Sequence, residues 1–399
     1  MSRALLPLAF LGFVSLGLPD GLLGVAWPEM RARFALPQEA LGALLAVSTI
    51  GYMGTSFAAG SLLRHMRIGG LLALSCLATA ASLLGYASAP NWVVVVAFGS
   101  LAGLGAGAID AGINAYVASH HSPRTVSWLH ACYGVGAASG PALMSAVLMR
   151  GLGWERGYVI IGLAQLGLAA AFAASYRHWP AIWSLDPSDS AAGARLRDTL
   201  HLPAVRWAVA AFFLYTGIEA AAGTWSYSLF ALARGFAMPV AAFWVSAFWC
   251  GLTAGRVGAG FAASRLSVEV LLAFALGGLV TGAALVWLPP VRGAELVGVA
   301  LLGLGAGPIF PTLIAATPRR VGAAHAANAV GFQIAAAALG QSLLPALVGL
   351  LAGALGLEVV APSLFAAALA LSAICLQQAP SSASSERRTL ARARWSRTR

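Results

Sequence analysis

Lysine is missing altogether, and acids are scarce. The 399 residues carry 24 basic side chains, all arginine, against 13 acids, and charged residues make up only 9% of the chain. A water-facing domain carries about 25%, so this chain has too few charges to cover a surface in water, and the bilayer is the solvent it can use. Alternating strands set off by turns, the pattern of a membrane barrel, are also missing. Cysteine is rare: Cys76, Cys132, Cys250 and Cys375 all sit in apolar stretches without metal-ligand spacing, and they read as small packing residues rather than disulfides or zinc ligands. No spaced nucleophile–base set appears, which argues against an enzyme, and no cofactor motif is found.

What is abundant is apolar sequence, 59% of the chain. A bilayer core of about 30 Å needs roughly 20 apolar residues per helix, and the sequence predicts twelve such helices, near 4–26, 40–62, 68–88, 92–118, 127–148, 157–177, 204–232, 239–263, 269–288, 293–315, 324–352 and 358–377. The fold class expected is therefore an all-α membrane protein. It comprises an N-terminal six-helix bundle (1–178), a cytoplasmic linker (179–203), a C-terminal six-helix bundle (204–377) and a basic cytoplasmic tail (378–399). Met1–Arg3 and the run after it could pass for a signal peptide. The run is too long and has no convincing cleavage site, so it reads as helix 1.

The net charge of +11 is a matter of topology rather than of nucleic-acid binding. Eighteen arginines, including Arg64, Arg67, Arg256, Arg265 and six in the tail, fall on one side of the predicted spans, and six (Arg31, Arg33, Arg150, Arg156, Arg234, Arg292) on the other. The positive-inside rule then puts both termini in the cytoplasm of a multi-pass inner-membrane protein. Membrane lipid is its expected surrounding, with weak attraction of the tail to anionic lipid.

The chain is internally duplicated. Leu101–Ala115 reads LAGLGAGAIDAGINA and Leu301–Ala315 reads LLGLGAGPIFPTLIA, 200 positions later, with Phe310 in place of Asp110 and Ile314 in place of Asn114. Gly51 and Gly251, and Gly60 and Gly260, match at the same offset, and Asp20 and Glu219 each precede a glycine by four. Six spans per half insert both halves the same way up, giving a parallel repeat whose site lies at the midplane between them. GLGAG could cradle a phosphate, but no strand precedes it and no Lys-Ser/Thr pair follows. Small residues in a span instead let helices approach closely.

Three acids lie within spans: Asp20, Asp110 and Glu219. A charge at a helix centre costs about 2.5–3.5 kcal/mol on insertion scales, which makes each a functional candidate. Each could instead be a structural acid, neutral or paired, and Pro19 and Gly21 could break helix 1 and leave amides to bond Asp20. No basic residue is expected deep enough to be a partner, with His130 in helix 5 the nearest candidate. Burial without a cation favours the neutral form of a carboxyl group, so these acids are the expected proton-coupling residues. Asn114 lies one turn after Asp110 on the same face, and His130 and Tyr133 are neighbours on helix 5. Together with Trp225 and Gln333 these residues are the expected substrate contacts. Amides, carboxylates, an imidazole and rings around one cavity suit a neutral polyhydroxy ligand, whose hydroxyls need donors and acceptors and whose C–H faces stack on rings.

The architecture resembles the major facilitator superfamily. FLGFVSLGLPDGLLG (Phe10–Gly24) and GLGAGAIDAGINAYVA (Gly103–Ala118) resemble its fucose permease-like branch of sugar:proton symporters, and LHACYGVGAASGP and YTGIEAAAGTW are similar to this branch or its relatives. The resemblance implies that Asp20 and Asp110 take part in substrate binding and proton coupling. Two departures stand beside it. GSLLRHMRIGG, between helices 2 and 3, lacks the acid usual in that loop, and GRVGAGFAASR after helix 8 is also acid-free. GAASGP (Gly136–Pro141) partly matches a motif of proton-coupled drug exporters. The function expected is proton symport of a sugar or similar small polar metabolite by alternating access. Proton-driven export is the runner-up, a non-transporting sensor is a third reading, sodium is the alternative coupling ion, and a monomer is the expected state.

Overall fold

The computed structural model describes residues 5–121, 123–179 and 194–377. The tail from 378 and most of the expected linker, 180–193, lie outside the described residues. Among the described residues every regular element is helical, and twelve helices are long and apolar enough to cross a membrane. They are α1 (Leu6–Arg33), α2 (Gln38–His65), α3 (Ile68–Ser88), α4 (Trp92–Val117), α5 (Trp128–Met149), α6 (Trp154–Ala174), α7 (Pro203–Ala233), α8 (Met238–Ala262), α9 (Val268–Trp287), α10 (Ala294–Val321), α11 (Ala323–Leu355) and α12 (Leu357–Gln377).

Some boundaries differ from those read off the sequence. α1 continues to Arg33, because the polar turn that follows Trp27 extends the helix beyond the apolar run. Pro19 does not break it, and both Pro19 and Pro28 lie inside an unbroken helix, so Asp20 is not bonded by amides freed at a kink. α10 is interrupted at Gly307 and Pro308 between Ala306 and Ile309.

The helices pack as two bundles with the same internal pairing. α1 lies on α5, α2 on α4 and α3 on α4 and α6, and the second half repeats this as α7 on α11, α8 on α10 and α9 on α10 and α12. The shared glycines explain why. A methyl group at Gly103 would strike the carbonyl oxygen of Ser48, and one at Gly303 that of Phe248. Gly107 lies on the carbonyl of Tyr52, and Gly307 on that of Leu252. Gly51 meets Ser100 as Gly251 meets Ala300, and Gly105 meets Ser75 as Gly305 meets Ala275. Every pair is offset by 200, so the GLGAG repeat is a packing device and not a phosphate loop. Gly303→Ala is expected to cost about 1–3 kcal/mol, the usual price of overpacking. Gly258→Ala, where nothing lies within 4 Å, is expected to leave the thermal midpoint in detergent unchanged or slightly raised.

The halves meet through α5 on α8, α2 on α11 and α1 on α7. At the end carrying the α1–α2 turn they close on each other. A Cβ at Gly42 would lie 3.0 Å from that of Ala346, one at Gly353 would strike the Glu39 carboxylate, and one at Gly24 would lie 2.6 Å from the Gly223 carbonyl oxygen. Toward the opposite end, Gly54 and Gly60 on α2 and Gly331 on α11 have no neighbour within 4 Å. The described end of the linker, including the short helix Leu196–His201, docks on the start of α11. There the Asn328 amide donates to the Ala194 carbonyl at 2.7 Å, and Thr199 Oγ1 lies 2.8 Å from His325 Nδ1.

Candidate functional site

Helix α1 carries Asp20 at its middle, and two glycines hold that position against α5. Gly17 and Gly21 rest on the backbone of Tyr133 and Ala137, and Gly136 and Gly140 return the contact on Val14 and Gly21. This close approach lets the Tyr133 hydroxyl donate to Asp20 Oδ2 at 2.7 Å. Asp20 is exposed to the space between the halves, within electrostatic range of Glu219 and Tyr52. Tyr133 in turn meets the indole of Trp249 on α8 edge-on, with ring centroids 6.4 Å apart.

Asp110 lies on α4 opposite α2. The Tyr52 hydroxyl donates to its Oδ2 at 2.5 Å and the Asn114 amide to its Oδ1 at 2.8 Å. Both carboxylate oxygens are therefore bonded by neutral donors, and among the described residues neither Asp110 nor Asp20 forms an ion pair.

Glu219 differs. The sequence led us to expect no basic residue at this depth, and Arg256 overturns that. Its Nη2 donates at 3.1 Å to both oxygens of Glu219 and at 3.2 Å to the Tyr215 hydroxyl, which itself donates to Glu219 Oε2 at 2.6 Å. The sequence counts Arg256 among the arginines of the cytoplasmic side, although it lies within the expected helix 239–263. It sits six residues before the end of α8, about 9 Å along the helix at 1.5 Å per residue, and its side chain is 18% exposed. Glu219 is thus one partner of a mostly buried ion pair rather than a free acid. Phe310, at the duplicated position of Asp110, packs on Phe212 and Tyr215 at 5.1 and 6.1 Å between ring centroids.

Of the other expected contacts, His130 is half-buried, edge-on to Phe13 at 5.5 Å and within electrostatic range of Arg256. Trp225 and Gln333 are not brought to this space. The Trp225 indole donates to the Pro345 carbonyl at 2.9 Å and fills the notch at Gly349, on the α11 side of α7. Gln333 is buried inside the second half and exchanges hydrogen bonds with Thr317 at 2.9 and 3.1 Å. Their helices turn those faces toward neighbours in the same bundle. Sequence reasoning missed Tyr52, Tyr215, Trp249 and Arg256. Tyr215 had a readable signal, since it stands four residues before Glu219 on one helix face.

Residues 9–343 match the Major Facilitator Superfamily. The chain belongs to that family. Among curated proteins it is 23% identical to Bypass of stop codon protein 6 of Saccharomyces cerevisiae over 390 residues, 87% of this chain and 77% of that one. Its fold is similar to that of a bacterial homologue of the human lysosomal transporter Spinster in an inward-facing, occupied conformation, with a TM-score of 0.73 and 13% identity over 94% of this chain and 95% of the other. It is also similar to the E. coli fucose:proton symporter FucP, with a TM-score of 0.61 and 16% identity over 94% and 98% of the two chains. These likenesses establish the fold of a multi-pass membrane transporter.

Proposed function

We propose that this chain is a proton-coupled symporter of a sugar or similar small polar metabolite, working by alternating access and related to the fucose permease-like branch. The observation that carries the reading is the pair of acids in the first half, Asp20 and Asp110, each bonded by a tyrosine hydroxyl and neither paired with a cation. Asp20 has free lone pairs toward the space between the halves, with the Tyr133 ring beside it. That pair accepts hydrogen bonds from ligand hydroxyls and offers a ring to C–H groups. Asp110, clasped by Tyr52 and Asn114, is the proton carrier, and Tyr52 also lies within electrostatic range of Asp20. Glu219 contributes as the charge partner of Arg256, and His130 stands within electrostatic range of that arginine. The arginine distribution supports both termini in the cytoplasm of an inner-membrane protein. The closed α1–α2 end then faces outward, and the state is open to the cytoplasm. The protein works as a monomer in lipid and needs no cofactor beyond its coupling ion.

The test uses proteoliposomes holding an internal pH dye, with a panel of hexoses, deoxyhexoses and amino sugars added outside. Internal acidification by one compound, absent from protein-free vesicles, is expected. Silence across the panel in vesicles that hold a proton gradient would overturn the sugar reading in favour of export, to be followed with a drug panel. Binding without movement would mark a sensor. For the responding compound, Tyr133→Phe, which takes from Asp20 the hydroxyl that positions it, is expected to raise KM with little change in protein stability.

A further inference from the structure

A helix on the surface of a protein normally turns its apolar side inward. The short helix Leu196–His201, at the end of the linker, does the reverse. It rests on the start of α11 by a polar residue. Thr199 is fully buried, with its Oγ1 2.8 Å from His325 Nδ1 and accepting from the Asn328 amide at 3.3 Å. The same amide donates to the Ala194 carbonyl, just ahead of the helix, at 2.7 Å. Leu196 and Leu200 stand outward, 63% and 46% exposed. The bonds to α11 fix the rotation of the helix, so the face it shows is set. Leu196 and Leu200 are four residues apart and share that face. Asp198, the only acid between positions 194 and 207, is two residues from each leucine. Each residue turns a helix by about 100°, so Asp198 lies on the opposite side. Arg195 and Arg197 flank Leu196, one to either side, and both are exposed. α7 begins at Pro203, and its first residues expose Arg206 and Trp207.

Leucines on one face, arginines along its edges and the acid turned away form the layout of a helix lying in a membrane interface. Arginine stems lie along apolar surface while their heads stay in the polar layer. Tryptophan at the end of a span sits at headgroup level, so Trp207 puts the adjoining helix beside the membrane surface. The phosphates of anionic headgroups complement Arg195, Arg197 and Arg206. An acidic soluble protein would match the arginines alone, whereas lipid matches the arginines, the leucines and the tryptophan together.

We infer that Leu196–His201 is a lipid-surface anchor: Leu196 and Leu200 enter the edge of the acyl layer, and Arg195, Arg197 and Arg206 take the phosphates of anionic lipids. Because Thr199 and Ala194 are bonded to α11, the anchor holds the start of that helix at the membrane surface. Neither the substrate nor the coupling ion enters into this anchoring.

The experiment replaces the four native cysteines of the full chain (Cys76→Ala, Cys132→Ala, Cys250→Ala, Cys375→Ala) and introduces Leu200→Cys or, separately, Asp198→Cys, each carrying a bimane label. The protein is placed in vesicles of brominated phosphatidylcholine, alone or mixed with brominated phosphatidylglycerol, and matched vesicles without bromine give the unquenched signal. Phe274→Cys, exposed on α9, is the lipid-facing reference. The expected result is quenching at position 200 close to that of the reference, little at position 198, and more at position 200 in the anionic vesicles than in phosphatidylcholine alone. An arginine at an anionic surface strengthens attachment about fivefold, so Arg195→Gln, Arg197→Gln and Arg206→Gln together are expected to erase the anionic increment, and high salt to shrink it. Equal quenching at positions 198 and 200, or an anionic increment that is missing or survives the three substitutions, would overturn the inference. Quenching of position 200 by aqueous iodide and not by brominated lipid would overturn it in favour of a soluble protein partner. Transport is not measured, so a failed symport assay and a failed quenching experiment are separate results.

Discussion

Asp110→Asn protein is expected to exchange substrate across a sealed bilayer but never to concentrate it. With one proton carried per substrate, a gradient of one pH unit supports accumulation of about tenfold, since one unit is worth about 1.4 kcal/mol. The variant is expected to stop at equality. The substitution suits the site. The asparagine oxygen can keep accepting from one neighbour, and the Tyr52 hydroxyl, now 2.5 Å from a carboxylate oxygen, can rotate to accept from the new amide. Shape and packing survive and titration is lost. The decisive comparison is accumulation under a pH gradient against counterflow with no gradient. Loss of both would mean that Asp110 holds the site together rather than carrying the proton. Retention of both would move the coupling role to Asp20.

Arg256→Met is expected to destabilise the protein by about 3–5 kcal/mol, the cost of stranding a buried partner charge. Glu219 would keep only the Tyr215 hydroxyl, at 2.6 Å. Adding Glu219→Gln removes the stranded charge, so the double variant is expected to recover most of the loss, read as the thermal unfolding midpoint in detergent. If the double variant is no more stable than the single, the arginine acts through its packing stem and not through the pair. Arg256→Lys is expected to fall between them, because an ammonium is a point donor and cannot reproduce the planar guanidinium that serves Glu219 and Tyr215 together.

Much of the fold was legible because its signals are periodic and long. Twelve apolar runs and the recurrence of GLGAG after 200 positions leave few alternatives, and the same glycines then prove to sit on carbonyls at matched positions in both halves. Depth and rotation were not legible. Arg256 is near enough to the end of a span to look like a loop residue, yet its long side chain reaches inward to Glu219. Trp225 and Gln333 share helices with plausible site residues, but one turns onto Pro345 and the other onto Thr317. A sequence shows which residues share a face and not what that face meets. Tyr52 was missed for a related reason: a tyrosine in an apolar helix reads as packing until a carboxylate is found opposite it.

The aromatic ring at Phe310, where the first half has Asp110, has an electrical consequence. One half of the duplicated machine keeps an ionisable group on this helix, and the other has filled the equivalent place with hydrocarbon against Phe212 and Tyr215. On the symport reading proposed above, with Asp110 carrying one proton beside a neutral cargo, each cycle moves one elementary charge and the membrane voltage works on it, at about 2.3 kcal/mol per 100 mV. That reading predicts uptake as a measurable current, one charge for each molecule delivered, and a second carboxylate at position 310 would be the natural way to ask whether the other half can be made to carry its own.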